Sequence, residues 1–327
     1  MNLRKLFYLM LIIPILFLNT ACSDDDGDDP VEVNEAEVLV KYLEAGDDFL
    51  NTAAPAMIKS SDVLPNVDNT NWTIIDIRSA SDFANGHIKN AVNKTTGELL
   101  SYYETNNLSS KEKVVIACYT GQTAGWATSL LRIMGYANVY DLKWGMSSWN
   151  PATKGSWVNT VAGGNGKAGQ LVTAATAKAA KGDLPKLKTG ETEAEDILRA
   201  RVEAVFAEGF GAAAVGNGDV FGALSNYYIV NYWSEDHYNM MHIPGAVQYT
   251  PKAALKLDAD LKTLPTDKPV AVYCYTGQTS AHVAAILKVI GYDAKSIKFG
   301  VNAMSYDAMP GTRFIESTDV HDYALVK

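Results

Sequence analysis

The hexapeptide Cys-Tyr-Thr-Gly-Gln-Thr occurs twice in the 327-residue chain, at Cys118–Thr123 and Cys274–Thr279. Each copy follows an apolar, strand-like run (Val114–Ala117, Val270–Tyr273) and precedes a helix-like run that closes at Gly135-Tyr136 or Gly291-Tyr292. The repetition extends beyond the loops. Cys118 and Cys274 are 156 residues apart, His87 and His242 are 155 apart, Lys143 and Lys298 are 155 apart, and Glu35-Ala36-Glu37 recurs as Glu193-Ala194-Glu195 after 158. A near-constant offset over that range marks a duplicated domain, not a copied motif. The fold must therefore set a thiol ahead of a helix N-terminus twice.

The two units read alike. Each is expected to begin with a helix, about residues 35–49 and 192–208, where apolar residues recur at helical spacing. Strand-like segments follow at 72–77 and 227–232. In the first unit a polar, helix-like turn at 79–85 comes next. Gly86-His87-Ile88 or Met241-His242-Ile243 then leads into a short strand. After the cysteine strand, loop and helix, a last strand at 139–142 or 296–299 runs into Gly145 or Gly300. Strands alternating with helices predict an α/β fold for each unit, a parallel central sheet flanked by helices on both faces. Such sheets bind ligands beyond the carboxyl ends of their strands, where both cysteine loops fall. Residues 34–152 and 192–327 are the two expected domains. The stretch 153–191 between them is rich in Gly, Ala, Thr and Lys and contains the breaker Gly163-Gly164-Asn165-Gly166. It reads as a linker lying loosely against the domains, with a turn of helix at 174–180.

The N-terminus is a targeting segment. Arg4 and Lys5 precede an apolar run, Leu6–Leu18, of signal-peptide length and short for a membrane span. Leu18-Asn19-Thr20-Ala21-Cys22 resembles the lipobox of bacterial lipoproteins. That resemblance implies a signal peptide over 1–22 and lipidation of Cys22. Ser23-Asp24-Asp25-Asp26 opens an acidic tether, 23–33, similar to the lipoprotein export signal of Bacteroidota. It implies an outer-membrane lipoprotein displayed at the cell surface, with the periplasmic face as the alternative, and held to the membrane by lipid alone. The formal charge of −9, with no basic stripe, argues against a nucleic-acid partner.

With Cys22 lipidated, Cys118 and Cys274 remain. They occupy equivalent places in separate repeats, so a bridge between them is not expected. No histidine pair has metal-ligand spacing, and there is no CxxC and no Gly-rich nucleotide loop. Neither a metal nor a cofactor is expected.

Asp76-Ile77-Arg78, Phe83, Gly86-His87-Ile88, Ala91, the Cys118 loop and Leu142-Lys143-Trp144-Gly145 through Trp149 resemble, in order, the pattern of rhodanese domains. The second unit departs from it. Asn231 stands for Asp76, Trp233 for Arg78, Met241 for Gly86 and Met304 for Trp149, although its loop is intact. The resemblance implies two tandem rhodanese-like domains and a sulfurtransferase. In that family a loop thiolate takes a sulfane sulfur from a donor such as thiosulfate, holds it as a persulfide and passes it to a thiol or cyanide acceptor. Cys118 and Cys274 are then the nucleophiles.

The loop suits that chemistry. A free thiol is mostly protonated at neutral pH. A helix N-terminus offers partial positive charge and unpaired N–H groups, which stabilise a thiolate and a departing anion. Gly121 and Gly277 permit a tight cradle. Tyr119, Thr120, Gln122 and Thr123, with Tyr275, Thr276, Gln278 and Thr279, complete the expected substrate-binding loops. Lys143 and Lys298 are expected to help hold an anionic donor. Phosphatases of related fold carry an Arg six residues after the Cys; here Ala124 and Ser280 stand there, so phosphate chemistry lacks its clamp. Asp76 and Arg78 read as a structural ion pair, His87 and His242 as partners of backbone groups, and Trp72, Trp126 and Trp144 as packing residues. The second reading of function is a non-catalytic or persulfide-sensing surface binding module, toward which the drift of unit two leans. If one site alone turns over, Cys118 is expected to be that site.

Overall fold

The computed structural model describes residues 33–327. The expected signal peptide, Cys22 and residues 23–32 of the expected acidic tether lie outside the described residues. Strands β1 (Met57–Ile58), β2 (Trp72–Asp76), β3 (Val92–Asn93), β4 (Lys113–Ala117) and β5 (Val139–Leu142) form one sheet in the order β1-β5-β4-β2-β3. Strands β6 (Ala214–Val215), β7 (Tyr228–Asn231), β8 (Val247–Gln248), β9 (Val270–Tyr273) and β10 (Ala294–Ile297) repeat it as β6-β10-β9-β7-β8. Every pairing is parallel. The expected α/β architecture of two parallel sheets flanked by helices is what the chain adopts. The cysteine strands β4 and β9 are central because they are apolar on both faces: Val114 to Ala117 and Val270 to Tyr273 are fully buried. The edge strands β1 and β6, two residues each, are too short to leave a period in the sequence.

The opening helix of unit one runs Glu35–Ala45, capped by Asn34, whose side chain accepts from the N–H groups of Ala36 and Glu37. It stops earlier than its periodicity suggests, at Gly46, and a separate turn covers Phe49–Thr52. Its counterpart spans Ala194–Ala212 with a break at Gly209, where φ is 74°. Residues 174–180 are not helical.

The two units share their core. The helices that follow the cysteine loops, Gln122–Ile133 and Gln278–Ile290, pack against each other. One apolar cluster joins Ile75, Val114 and Trp126 to Val202, Phe206, Ala281 and Val289. Another joins Val40 and Phe49 to Val272 and Ile286.

The segments after each unit are exchanged. The stretch expected to lie loosely as a linker instead straps unit two. Lys167 donates its N–H to the carbonyl of Met304 at 2.9 Å, and Val172 and His242 exchange backbone bonds of 2.9 and 2.8 Å. The C-terminal arm does the same to unit one: His87 and Val326 exchange bonds of 2.9 and 3.0 Å, and Tyr323 donates to Trp149 at 3.0 Å. Leu171 packs on the outer face of the second sheet, Tyr323 and Leu325 on that of the first. Each outer face is apolar, and the strap removes it from water.

Trp157 sits where the exchange closes. Its ring stacks on Phe314 at 5.3 Å and meets Trp144 and Phe299 edge-on at 4.8 and 5.0 Å. Trp157→Ala is expected to cost about 3–5 kcal/mol. Urea unfolding followed by circular dichroism and fluorescence should give coincident transitions, shifted down in the variant. Two separate transitions would mean that the halves fold independently.

Candidate active site

Cys118 follows the last residue of β4, and the loop brings the N–H of Gly121 to 3.1 Å and that of Ala124 to 3.4 Å from its sulfur. Gly121, at φ 84°, turns the chain into the helix. The loop is held from behind by the turn after β5. Met146 donates its N–H to the Cys118 carbonyl at 2.7 Å, and Ser147 donates its N–H and hydroxyl to the Tyr119 carbonyl at 3.2 and 2.9 Å. The Trp157 indole donates to the Thr120 carbonyl at 3.1 Å. Around Cys274 the pattern recurs. Ser280 N–H lies 3.3 Å from the sulfur, Val301 N–H donates to the Cys274 carbonyl at 3.2 Å, and Asn302 holds the Tyr275 carbonyl with its N–H and side-chain amide. Both cysteines are free and only 2% exposed. Burial pushes the Cys118 thiol up; the N–H groups of Ala124, Thr120 and Gly121 pull it back, and the Asp141 carboxylate adds to the rise.

Several residues expected to face substrate have other partners. Gln122 Oε1 accepts the N–H of Phe299 at 2.7 Å, and Gln278 Oε1 accepts the N–H of Trp144 at 2.8 Å. Each loop thus clasps the other unit, at a residue turned to positive φ just after the last strand, 65° at Trp144 and 62° at Phe299. Both glutamines, expected in the substrate-binding loops, commit Oε1 to the other unit. The clasp also gives the loop glycines a second role: a Cβ on Gly121 would lie 2.3 Å from Gln278 Oε1, and one on Gly277 2.5 Å from Gln122 Oε1. The Tyr119 hydroxyl donates to Asp82 and accepts from Ser79 N–H at 3.3 Å. The Tyr275 hydroxyl pairs with His237 Nδ1, and its ring stacks on Trp233 at 4.7 Å. Both tyrosines tie their loops to the helix after β2 or β7. Burial, with the charge of Cys274 adding, pushes Tyr275 up to about 12.

Thr120 Oγ1 accepts from Gln122 Nε2 at 3.1 Å, and Thr276 Oγ1 stands 3.9 Å from the Cys274 sulfur. Thr123 and Thr279 are half-buried at the helix starts. Among the described residues, neither the Lys143 nor the Lys298 ammonium hydrogen-bonds a cysteine loop. Lys143 lines a cleft of about 310 Å³ with Lys59, Ser60, Trp144, Asp319 and His321, whereas Lys298 is exposed.

The drift of unit two is compensated. In unit one Arg78 grips Asp76 at 2.7 Å and the Gly86 carbonyl at 2.7 Å, both buried. In unit two Tyr273, standing where unit one has Ala117, supplies a hydroxyl that accepts from Asn231 Nδ2 at 2.7 Å and Ile243 N–H at 3.1 Å. His87 and His242 hold the carbonyls of Phe83 and Tyr238 through Nδ1 at 2.9 and 2.8 Å.

One buried constellation was not read from the sequence. His282, on the cysteine helix of unit two, places Nε2 2.9 Å from Asp141 Oδ1 and Nδ1 2.6 Å from Ser129 Oγ, both in unit one. The available signal was a carboxylate inside an apolar strand and an imidazole inside an Ala-rich helix.

A family model for the rhodanese-like domain matches residues 60–152 and 224–306, more than half of the chain. The chain belongs to the rhodanese-like family. It is similar to the thiosulfate sulfurtransferase GlpE of Shewanella oneidensis, 33% identical over 79 residues, which are 24% of this chain and 76% of that protein. The corresponding enzyme of Stutzerimonas stutzeri is 30% identical over 81 residues, 25% of this chain and 72% of its own. Among solved structures, a rhodanese-related protein from Thermoplasma volcanium is 26% identical, covering 28% of this chain and 88% of that one with a TM-score of 0.26.

In this rhodanese-like pair the clasp can be tested directly. Gln278→Ala leaves the buried Trp144 N–H without its acceptor and should destabilise the protein by about 1–3 kcal/mol in urea unfolding. An unchanged midpoint would show that the clasp contributes nothing.

Proposed function

We propose that the protein is a sulfurtransferase that moves a sulfane sulfur from a small anionic donor such as thiosulfate to a thiol or cyanide acceptor. The observation that carries this reading is a free thiol at the end of each central strand with helix N-terminal N–H groups aimed at its sulfur. The cysteine thiolate attacks the outer sulfur of thiosulfate. The donor S–S bond breaks, its electron pair leaves with sulfite, and the loop N–H groups stabilise the anions. The acceptor then attacks the terminal sulfur of the persulfide and takes it, returning the cysteine thiolate. Similarity to two thiosulfate sulfurtransferases supports the reading. Lys143 and Lys298 are proposed to attract the anionic donor through the field at the strand ends, without contact to the loops.

The alternative, a non-catalytic binding module, drew on the drift of unit two. There Tyr273 fills the place of the lost ion pair and the loop keeps its N–H donor, so the drift leaves the cradle in place. A thiosulfate:cyanide assay on the wild type, Cys118→Ala, Cys274→Ala and the double variant is expected to show activity that vanishes in the double variant. Mass spectrometry after exposure to donor should find the mass of one added sulfur atom on a cysteine peptide. Wild-type turnover at the uncatalysed rate with several donors, and no adduct, would overturn the proposal. We further propose that Cys22 carries the lipid anchor of an exported protein at the cell surface; Cys22→Ser should then leave the membrane fraction, and retention there would refute it.

A further inference from the structure

Asp141, His282 and Ser129 have no part in the sulfur chemistry described above. Asp141, on β5, pairs in register with Ile116 of β4, two residues before Cys118. All three side chains are buried completely. His282 satisfies Asp141 Oδ1, while Asp141 Oδ2 has no hydrogen-bond partner. A half-satisfied carboxyl in a dry core is costly, and on the strand next to that of a reactive thiol it points to function.

The second unit shows what stands there otherwise. Ser296 pairs with Ala214 in β6 as Asp141 pairs with Met57 in β1. Ser296 Oγ meets Ser280 Oγ at 2.8 Å and donates to the Gly277 carbonyl at 3.2 Å. Ser280 Oγ in turn lies 3.6 Å from the Cys274 sulfur. Cys274 therefore has a neutral hydroxyl within reach, that of Ser280 backed by Ser296, which can rotate to donate to a thiolate. In unit one the same two places hold Ala124, which has no hydroxyl, and Asp141. Burial pushes the Asp141 carboxyl up, while His282, from the helix of unit two, and Arg132, from the helix of unit one, pull it back toward the charged form. With Asp141 held ionised by His282 and Arg132, ionising Cys118 sets a second anion near it, away from water, and like charges oppose each other's ionisation.

We propose that Asp141, held by His282 across the boundary between the units, is a positioning residue that makes Cys118 the less reactive of the two thiols at neutral pH. Cys274, on its hydroxyl pair, is the first to react, the reverse of the order suggested by the better family match of unit one. Burial and the Asp141 carboxylate both push the Cys118 thiol up, in the direction the geometry requires. The consequence for sulfur loading rests on the sulfurtransferase reading. The order of the thiols does not, and alkylation tests it without any sulfur donor.

The full-length protein is treated with iodoacetamide across a pH series, and the two cysteine peptides are quantified by mass spectrometry. The pH midpoint reports ionisation, whereas the limiting rate reports access. The Cys274 midpoint is expected below that of Cys118; coincident midpoints, or the opposite order, overturn the proposal. Asp141→Asn keeps an acceptor for His282 but removes the charge, and should lower the Cys118 midpoint by about 1 unit while leaving Cys274 in place. A merely structural role would move both midpoints or neither. Asp141→Ser, which installs the residue that unit two uses, should act in the same direction and serves if the Asn variant does not fold. An unmoved Cys118 midpoint in a folded variant overturns the proposal.

Discussion

Helices Gln122–Ile133 and Gln278–Ile290 lie against each other closely enough that a Cβ on Gly125 would stand 3.0 Å from His282 Nε2. The geometry at both thiols depends on that contact. It brings each loop within reach of the turn after the last strand of the other unit. Gln122 and Gln278 then complete one another's backbone, and His282 reaches Asp141. A buried N–H left without an acceptor is expensive, so the clasps bind the two loops into one polar network inside a shared apolar core.

The same exchange covers the sheets. Strap 164–176 lies on unit two and arm 316–326 on unit one, and the two cross-unit bridges, Val172 with His242 and His87 with Val326, are counterparts in the duplication. Burying the outer apolar faces this way makes the segments outside the family match part of the fold. It also explains why the histidines of both units carry structural work: each receives a strand from the other half while its ring holds a carbonyl of its own.

Within that symmetric frame the surroundings of the two thiols are unequal. Both cradles aim N–H groups at sulfur, but one rests beside a carboxylate and the other on hydroxyls. The drift in the remainder of unit two, including Trp233 stacked on Tyr275 and Tyr273 in place of the ion pair, preserves its loop. The pattern residues brace the loop, and the neighbours of the two sulfurs differ independently of that pattern.

The sequence by itself determined the duplication, the parallel α/β sheets and the position of each thiol before a helix, because these rest on local period and on a motif that recurs at fixed spacing. It also determined the roles of Asp76, Arg78, His87 and His242, whose side chains each hold a partner within about ten residues. Only the tertiary structure decided that Gln122 and Gln278 face the other unit, that part of residues 153–191 straps unit two, and that His282 meets Asp141. Each of those contacts joins residues more than 60 positions apart across two units. No local periodicity records such a pairing; it exists only once the two apolar faces have been buried against each other.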